Sequence, residues 1–373
     1  RGPIMRLATR LIAGVSFFIA ATASARADVN VVASIKPIHS LVAGVMQGVG
    51  KPGLIVDGAA SPHTYALKPS QAQMLQDADV VFWVGHELEA FLEKPLETLG
   101  SKARSVEAID AKSLIKLEIR EGDGFEAHDH GDHDDHASEA KHGDHKDHAD
   151  GKDHAHGKDH AHEKEHAKAE KAAHGHKEEA GHKEEAGHKE AGHADHHGHH
   201  GTDAHVWLDP KNAIAVVEQI KTVLVAADTA NATKYEANAK ALVEKLNGLI
   251  EEVTATVKPV SGKGFVVFHD AYQYFEKRFG LSATGSITVS PEVMPGAKRI
   301  TELREKVKAL KVGCVFSEPQ FEPKLVSTVT EGTDANSGVL DPLGASIANG
   351  PDLYFTLIRN MGASFQKCLA RAS

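Results

Sequence analysis

The sequence predicts an α/β protein of two βα lobes with mostly parallel sheets, joined by a long rigid helix and enclosing a cleft. Short, wholly apolar runs such as VVFWV at 80–84 and GFVVF at 264–268 read as strands covered on both faces, as in a parallel sheet. Strands alternate with helical patterns in two separate stretches of the chain. Between them lies one unusually long helical pattern, NATKYEANAKALVEKLNGLIEEVTATV, which ends before Pro259. The expected boundaries are 28–229 for the first lobe, 230–258 for the linking helix and 259–373 for the second lobe.

The elements follow in order. Asp28 onward gives the β-rich VNVVAS, then a helix from about Lys36 to Val49. LIVDG at 54–58 is a short strand, QAQMLQDA from about Ser70 is helical, and Val80 to Val84 is a buried strand. After a long insert, Pro210 stands at a helix start and Lys211 to Ala226 continues it. Asp228, Thr229 and Asn231 supply caps before the linking helix. In the second lobe GFVVF is followed by the helix HDAYQYFEKRFG, with Gly280 at a natural left-handed stop. Pro295 to Leu310 reads as helix, Val312 to Phe316 as strand, and Pro351 opens a mostly helical end.

Two segments stand outside this fold. Arg6 and Arg10 precede the apolar run LIAGVSFFIAATA and a small-x-small site at Ala25-Arg26-Ala27, so residues 1–27 read as a secretory signal peptide, with Met5 the better initiator. The run is short of the roughly 20 residues a comfortable span needs. No cysteine follows the cleavage site, so a free periplasmic protein is expected rather than a lipoprotein. The other segment, 121–203, holds 23 Asp and Glu against 10 Lys within a chain of formal net charge −10. The acidity belongs to the insert, so it argues for no nucleic-acid or membrane partner of the folded part. GKDHAH recurs at 151 and 157 and HKEEAG at 176 and 182, with almost no apolar side chain larger than Ala. Such a tract cannot bury enough surface to offset its ordering entropy, and disorder is expected.

The two cysteines, Cys314 and Cys368, lie near the end of an exported chain, where an oxidising compartment makes a disulfide the default.

Of 26 histidines only five lie outside the insert: His39, His63, His86, His205 and His269. His63 in SPHTYALKPS, His205 in AHVWLDP and His269 in VVFHDAY sit where strands hand over to loops or helices. Strand C-terminal ends face the ligand crevice in α/β folds, so the three could converge. Three imidazoles make a first-row metal site, most often zinc, with a fourth position open or taken by a carboxylate or water. His39 and His86 read as surface or hydrogen-bonded histidines. Asp341 in GVLDPLG is either a loop cap or a carboxylate facing the metal. Asp209, Asp270 and Glu318 could cap helices or orient imidazoles. A zinc hydrolase would share the three histidines, but the folded part carries no HExxH helix.

SIKPIHSLVAGVM, SPHTYALKPS, DADVVFWVGHELEAF, AHVWLDP, FHDAYQYF, SEPQF and LDPLG resemble, in order and spacing, the periplasmic zinc-binding component of high-affinity zinc ABC importers. This is the helix-linked branch of metal solute-binding proteins, which also holds manganese and iron binders, some first described as adhesins. The resemblance covers the mature chain except the insert. It implies Zn²⁺ held between two lobes, no enzymatic activity, action as a monomer and delivery to an inner-membrane ABC zinc permease. Its ligand positions fall on His63, His205, His269 and Asp341. Manganese-type relatives carry a glutamate at the third position, whereas a nitrogen there suits zinc. Some zinc members place a carboxylate just before the first histidine, where this chain has Pro62.

Within the insert, His128, His130, His133, His136, His154, His156, His160, His162, His196, His197, His199 and His200 are accessory metal candidates. Ordering a loose chain around each ion costs entropy, so their affinity should be modest and should weaken as pH drops through about 6.5. Scavenging or buffering, with hand-off to the preorganised cleft, is the expected role; a solvated linker is the bland alternative.

Overall fold

The computed structural model describes residues 29–120, 124–125, 201–288, 295–321 and 324–371. The signal-peptide reading and most of the insert lie outside these.

The first lobe is a four-stranded parallel sheet of β1 (Val31–Ile35), β2 (Gly53–Val56), β3 (Val80–Trp83) and β4 (Arg104–Glu107), in the order β2-β1-β3-β4. The second is built alike from β5 (Phe265–His269), β6 (Gly285–Thr288), β7 (Cys314–Ser317) and β8 (Asn336–Val339), in the order β6-β5-β7-β8. Central strands β1, β3 and β5 are buried along their full length, as their apolar runs foretell. The edge strands β4, β6 and β8 escaped the sequence reading. RSVE and NSGV carry only half-buried or alternating patterns, because an edge strand of four residues needs no continuous apolar run.

Helices α1 (Lys36–Val45), α2 (Pro69–Gln76) and α3 (Glu93–Thr98) surround the first sheet. Each of the first two starts on a proline in its first turn, where the missing N–H is not needed. α4 (Pro210–Ala227) begins after Asp209, whose Oδ1 accepts from the Lys211 N–H at 2.7 Å and caps it. α5 (Ala232–Val257) is the long linking helix, roughly 39 Å at 1.5 Å per residue. Its buried stripe, Tyr235, Ala239, Leu242, Leu246, Leu249, Val253 and Val257, recurs every three or four residues and so forms one face.

In the second lobe α6 (Gln273–Phe279) ends on Gly280 at φ +68°, the expected left-handed stop. It starts four residues later than the sequence suggests, because His269 still belongs to β5. α7 (Ala297–Ala309), α8 (Lys324–Thr330) and α9 (Leu353–Ala370) complete the lobe.

α5 packs against α4 and α1 of the first lobe and against α9 of the second. Two glycines allow this closeness. A Cβ on Gly44 would lie 2.8 Å from Leu242, and one on Gly362 would lie 3.0 Å from Val253. The result is a single apolar core running through both lobes, with a smaller cluster around Val266, Ile287 and Val315 on the other face of the second sheet. Polar ties cross the same boundary: Lys36 Nζ donates to the Ala345 and Ile347 carbonyls, and the Tyr354 hydroxyl to the Trp207 carbonyl at 2.6 Å. Cys314 of β7 and Cys368 of α9 form a disulfide with Cα atoms 6.0 Å apart, closing a loop of 54 residues. Such a closure stabilises by about 4 kcal/mol in the chain-entropy treatment.

The insert leaves through a short neck. Glu118 bridges Thr202 in antiparallel fashion, the Ile119 N–H donates to the Gly201 carbonyl, and the Asp203 N–H to the Leu117 carbonyl. Gly201 to Asp203, read from sequence as the end of the insert, are therefore part of the folded chain. Gly124 is also docked, its carbonyl accepting from the Ser286 N–H and from Arg299.

Glu89 is fully buried, and its Oε2 accepts from the Val84 and Gly85 N–H groups. Burial pushes its carboxyl up to about 7 from the ordinary 4.5. A raised folded-state pKa means that its contribution to stability is fully present below about 4.5 and is lost as pH rises through about 7. Glu89→Gln keeps an acceptor without the charge. Urea denaturation at pH 8 should show it more stable than the parent by up to about 3 kcal/mol, with the difference vanishing near pH 4.5; equal stability at pH 8 would refute this account.

Candidate metal centre

His63, His205 and His269 each arrive at one point by a different local device. His63 lies in a short 3-10 turn, Pro62–Thr64, where the Ser61 hydroxyl accepts from the His63 N–H at 3.3 Å. His205 directly precedes the 3-10 turn Val206–Leu208, which leads into α4. His269 is the last residue of β5, at the strand end that opens toward the first lobe. Ring centroids are 5.4 Å apart for His63 and His205, 5.8 Å for His63 and His269, and 5.2 Å for His205 and His269. Each ring offers a nitrogen within 4.8 Å of the others, the one such metal-capable group among the described residues.

Two carboxylates decide which nitrogen that is. Asp203 Oδ1 accepts from His205 Nδ1 at 2.8 Å and from the His205 backbone N–H at 2.9 Å. Glu318 Oε1 accepts from His269 Nδ1 at 2.7 Å. Both acceptors are buried, at 4% and 3% exposure, so the bonds are sheltered from water. With each Nδ1 holding a proton for its carboxylate, each neutral ring presents an Nε2 lone pair. These two lone pairs meet at 3.3 Å. Facing lone pairs repel, and a positive centre between them, a shared proton or a metal ion, makes the approach favourable. Two nitrogens about 2.0–2.1 Å from a tetrahedral Zn²⁺ lie about 3.3–3.4 Å apart, so the spacing fits that ion.

Charge works in the same direction at His63 and against it at His269. Burial, then the neighbouring His205 and His269 rings, hold His63 well below the usual imidazole range, leaving it neutral with a lone pair to give. Burial also opposes a proton on His269, but Glu318 outweighs it and shifts this ring upward. Around the triad Pro62, Trp207, Phe321, Pro342 and Leu343 line the cavity with apolar surface.

Asp341 stands apart from the triad. Its Oδ1 accepts from the Leu343 and Gly344 N–H groups and from Gln320 Nε2, and its Oδ2 from the Ala345 N–H. With both oxygens used this way it shapes the 341–345 loop, the capping alternative of the sequence reading. Asp209 caps α4 and pairs with Arg278, while Asp270 pairs with Arg120; neither reaches an imidazole. Glu318 does orient one, as anticipated. Asp203 was missed because the acidic run before it looked like insert; the spacing Asp-Ala-His, which lets a side chain bond the N–H two residues on, was the available signal. His39 Nε2 donates to the Pro52 carbonyl at 3.1 Å, and His86 lies beside Glu87 and Glu107, away from the triad. The accessory histidines from His128 to His200 fall outside the described residues. So does His162-Glu163-Lys164-Glu165-His166, which has HExxH spacing.

Replacing either orienting carboxylate, Asp203→Ala or Glu318→Ala, should weaken binding of a first-row divalent ion at the triad by about 10–100-fold, measured by chelator competition. Unchanged affinity in both would mean that packing alone holds the rings.

The family described as "Zinc-uptake complex component A periplasmic", ZnuA, matches residues 31–368. The "High-affinity zinc uptake system protein ZnuA" of Brucella suis biovar 1 (strain 1330) is 53% identical over 342 residues, covering 92% of each chain. The protein of that name from Haemophilus influenzae (strain ATCC 51907 / DSM 11121 / KW20 / Rd) is 40% identical over 347 residues, covering 92% of this chain and 94% of its own. Among solved structures, one titled "Crystal structure of ZnuA" superposes with a TM-score of 0.63 at 20% identity, covering 92% of this chain and 99% of that one. The solute-binding protein FpvC of Pseudomonas aeruginosa in complex with Mn²⁺ superposes at 0.65 with 16% identity, covering 93% and 100%; at these identities the likeness concerns the fold. The chain belongs to the ZnuA family of periplasmic zinc-uptake components.

Proposed function

We propose that this protein captures one zinc ion between its lobes on His63, His205 and His269 and delivers it in the periplasm to an inner-membrane ABC permease. The observation that carries the reading is the 3.3 Å approach of two Nε2 atoms, each left with its lone pair by a buried carboxylate. Three nitrogens suit zinc better than the oxygen-rich sets that hold manganese. Zinc is here the cargo, so the triad needs to bind and release it rather than activate a water.

Two further points support the periplasmic setting. The N-terminal charged-then-apolar pattern reads as an export signal, and among the described residues no helix is long and apolar enough to cross a membrane. The disulfide Cys314–Cys368 suits an oxidising compartment. The insert, with 21 of the 26 histidines, serves in this reading to gather or buffer zinc at modest affinity. Its chain re-enters the fold at Gly201, four residues before His205, so ions gathered there are held at high effective concentration near the triad.

Single replacements His63→Ala, His205→Ala and His269→Ala should each abolish the tight site while weaker binding by the insert persists, as read by metal analysis and isothermal titration of purified protein. Retained tight binding in all three would remove the proposal's chemical basis. Deleting residues 126–200, which spares the neck and the docked Gly124 and Phe125, should lower zinc stoichiometry and leave the tight site intact; unchanged stoichiometry would remove the gathering role. A deletion strain grown under chelation, rescued by added zinc, separates transport from mere buffering.

A further inference from the structure

Lys36 stands where elementary electrostatics argues against a lysine. It is the first residue of α1, a helix with no side-chain cap and no acidic residue in its first turn, so its ammonium adds to the positive end of the helix dipole. The side chain is only 4% exposed, and its ion-pair partner, Asp57 at 3.8 Å, is itself 61% exposed. A buried cation so loosely paired is costly, and an apolar side chain of similar size would be less so. What the ammonium does hold is the other lobe: it donates to the Ala345 carbonyl at 3.1 Å and to the Ile347 carbonyl at 2.8 Å. Asp57 takes the same segment slightly further along, its Oδ1 accepting from Asn349 Nδ2 at 3.2 Å.

The gripped stretch runs between Gly344 at φ +73° and Gly350 at φ +147°, conformations that let the backbone turn at each end. Just ahead of it Pro342 and Leu343 line the cavity of the triad, and Asp341 draws in the Leu343, Gly344 and Ala345 N–H groups. One strap, 341–349, is therefore cavity wall at one end and lobe contact at the other. Zinc on the triad would tie His269 of the second lobe to His63 and His205 of the first, so ion and strap favour the same docking of the lobes. Two interactions that favour one arrangement are linked, and each strengthens the other by the same factor. We propose, building on the triad reading, that Lys36 is a positioning residue that holds this strap closed and thereby sets how fast zinc leaves the triad. It acts through the backbone of the strap, at a distance from the ion.

The test uses the full chain, loaded with one equivalent of zinc and chased with a chelator to give the dissociation rate, while amide hydrogen exchange over 341–349 reports on the strap. In the parent, zinc should slow that exchange. Lys36→Met, similar in length but uncharged, should release zinc about tenfold faster, the equivalent of one charge-assisted hydrogen bond, and its strap should exchange alike with and without zinc. The urea midpoint of the metal-free variant should equal or exceed the parent's, because the buried charge is gone; a merely structural role would lower that midpoint and leave zinc release from the folded protein unchanged. Parent-like release from folded Lys36→Met, or strap exchange in the parent that ignores zinc, would overturn the inference. Should Lys36→Met not fold, Asn349→Ala loosens the same strap from an exposed position: about twofold faster release is expected, and parent-like release with parent-like exchange would overturn the inference as well. The triad reading fails separately, if His269→Ala keeps the parent's zinc affinity, whatever Lys36→Met does.

Discussion

Two imidazole lone pairs held 3.3 Å apart inside a protein are a standing electrostatic demand for a cation, and the surrounding structure exists to maintain that demand. Asp203 and Glu318 turn the rings by taking their Nδ1 protons, and burial keeps water from relieving the contact. Without the carboxylates the rings could rotate or change tautomer, and the site would lose the preorganisation that separates it from histidines strung along a polar tract.

Maintaining it requires that the two lobes cannot drift. One core runs through both, with α5 as a strut against α1, α4 and α9, and Trp207 is the polar keystone: its indole donates to the Pro342 carbonyl while its own carbonyl accepts from Tyr354. α6 adds a clamp at the neck of the insert. The Tyr274 hydroxyl accepts from the Leu117 N–H and donates to the Asp203 carbonyl, and Arg278 holds Asp209. The same short helix therefore fixes the backbone on either side of His205. Arg120 pairs with Asp270 and Glu276 and stacks over Phe125, so the departing chain is secured next to His269 as well.

Asp341 illustrates how a carboxylate near a metal site can act without reaching it. By gathering three N–H groups it folds the 341–345 loop, and that loop presents the Ala345 carbonyl, with Ile347 just beyond, to the buried Lys36 of the first lobe. Its remaining bond to Gln320 carries that order back to the cavity wall. Interlobe docking and the Gln320 side of the cavity wall thus share one residue.

The sequence by itself determined the parallel sheets, the linking helix and the three histidines, because continuous apolar runs, a long 3.6-residue stripe and strand-end placement are local signals written in consecutive residues. Tertiary structure alone decided the rest. Whether Asp341 faced the triad or capped a loop depended on which N–H groups its backbone brought within reach. Asp203 acquired its role only when the neck paired with Leu117 and Glu118 and carried it out of the insert. Edge strands β4, β6 and β8 formed because a neighbour was there to pair with, a partner up to tens of residues away that no local pattern announces. Lone-pair geometry, finally, is a property of three rings brought together from positions 63, 205 and 269, and distances between such remote positions exist only after the chain has folded.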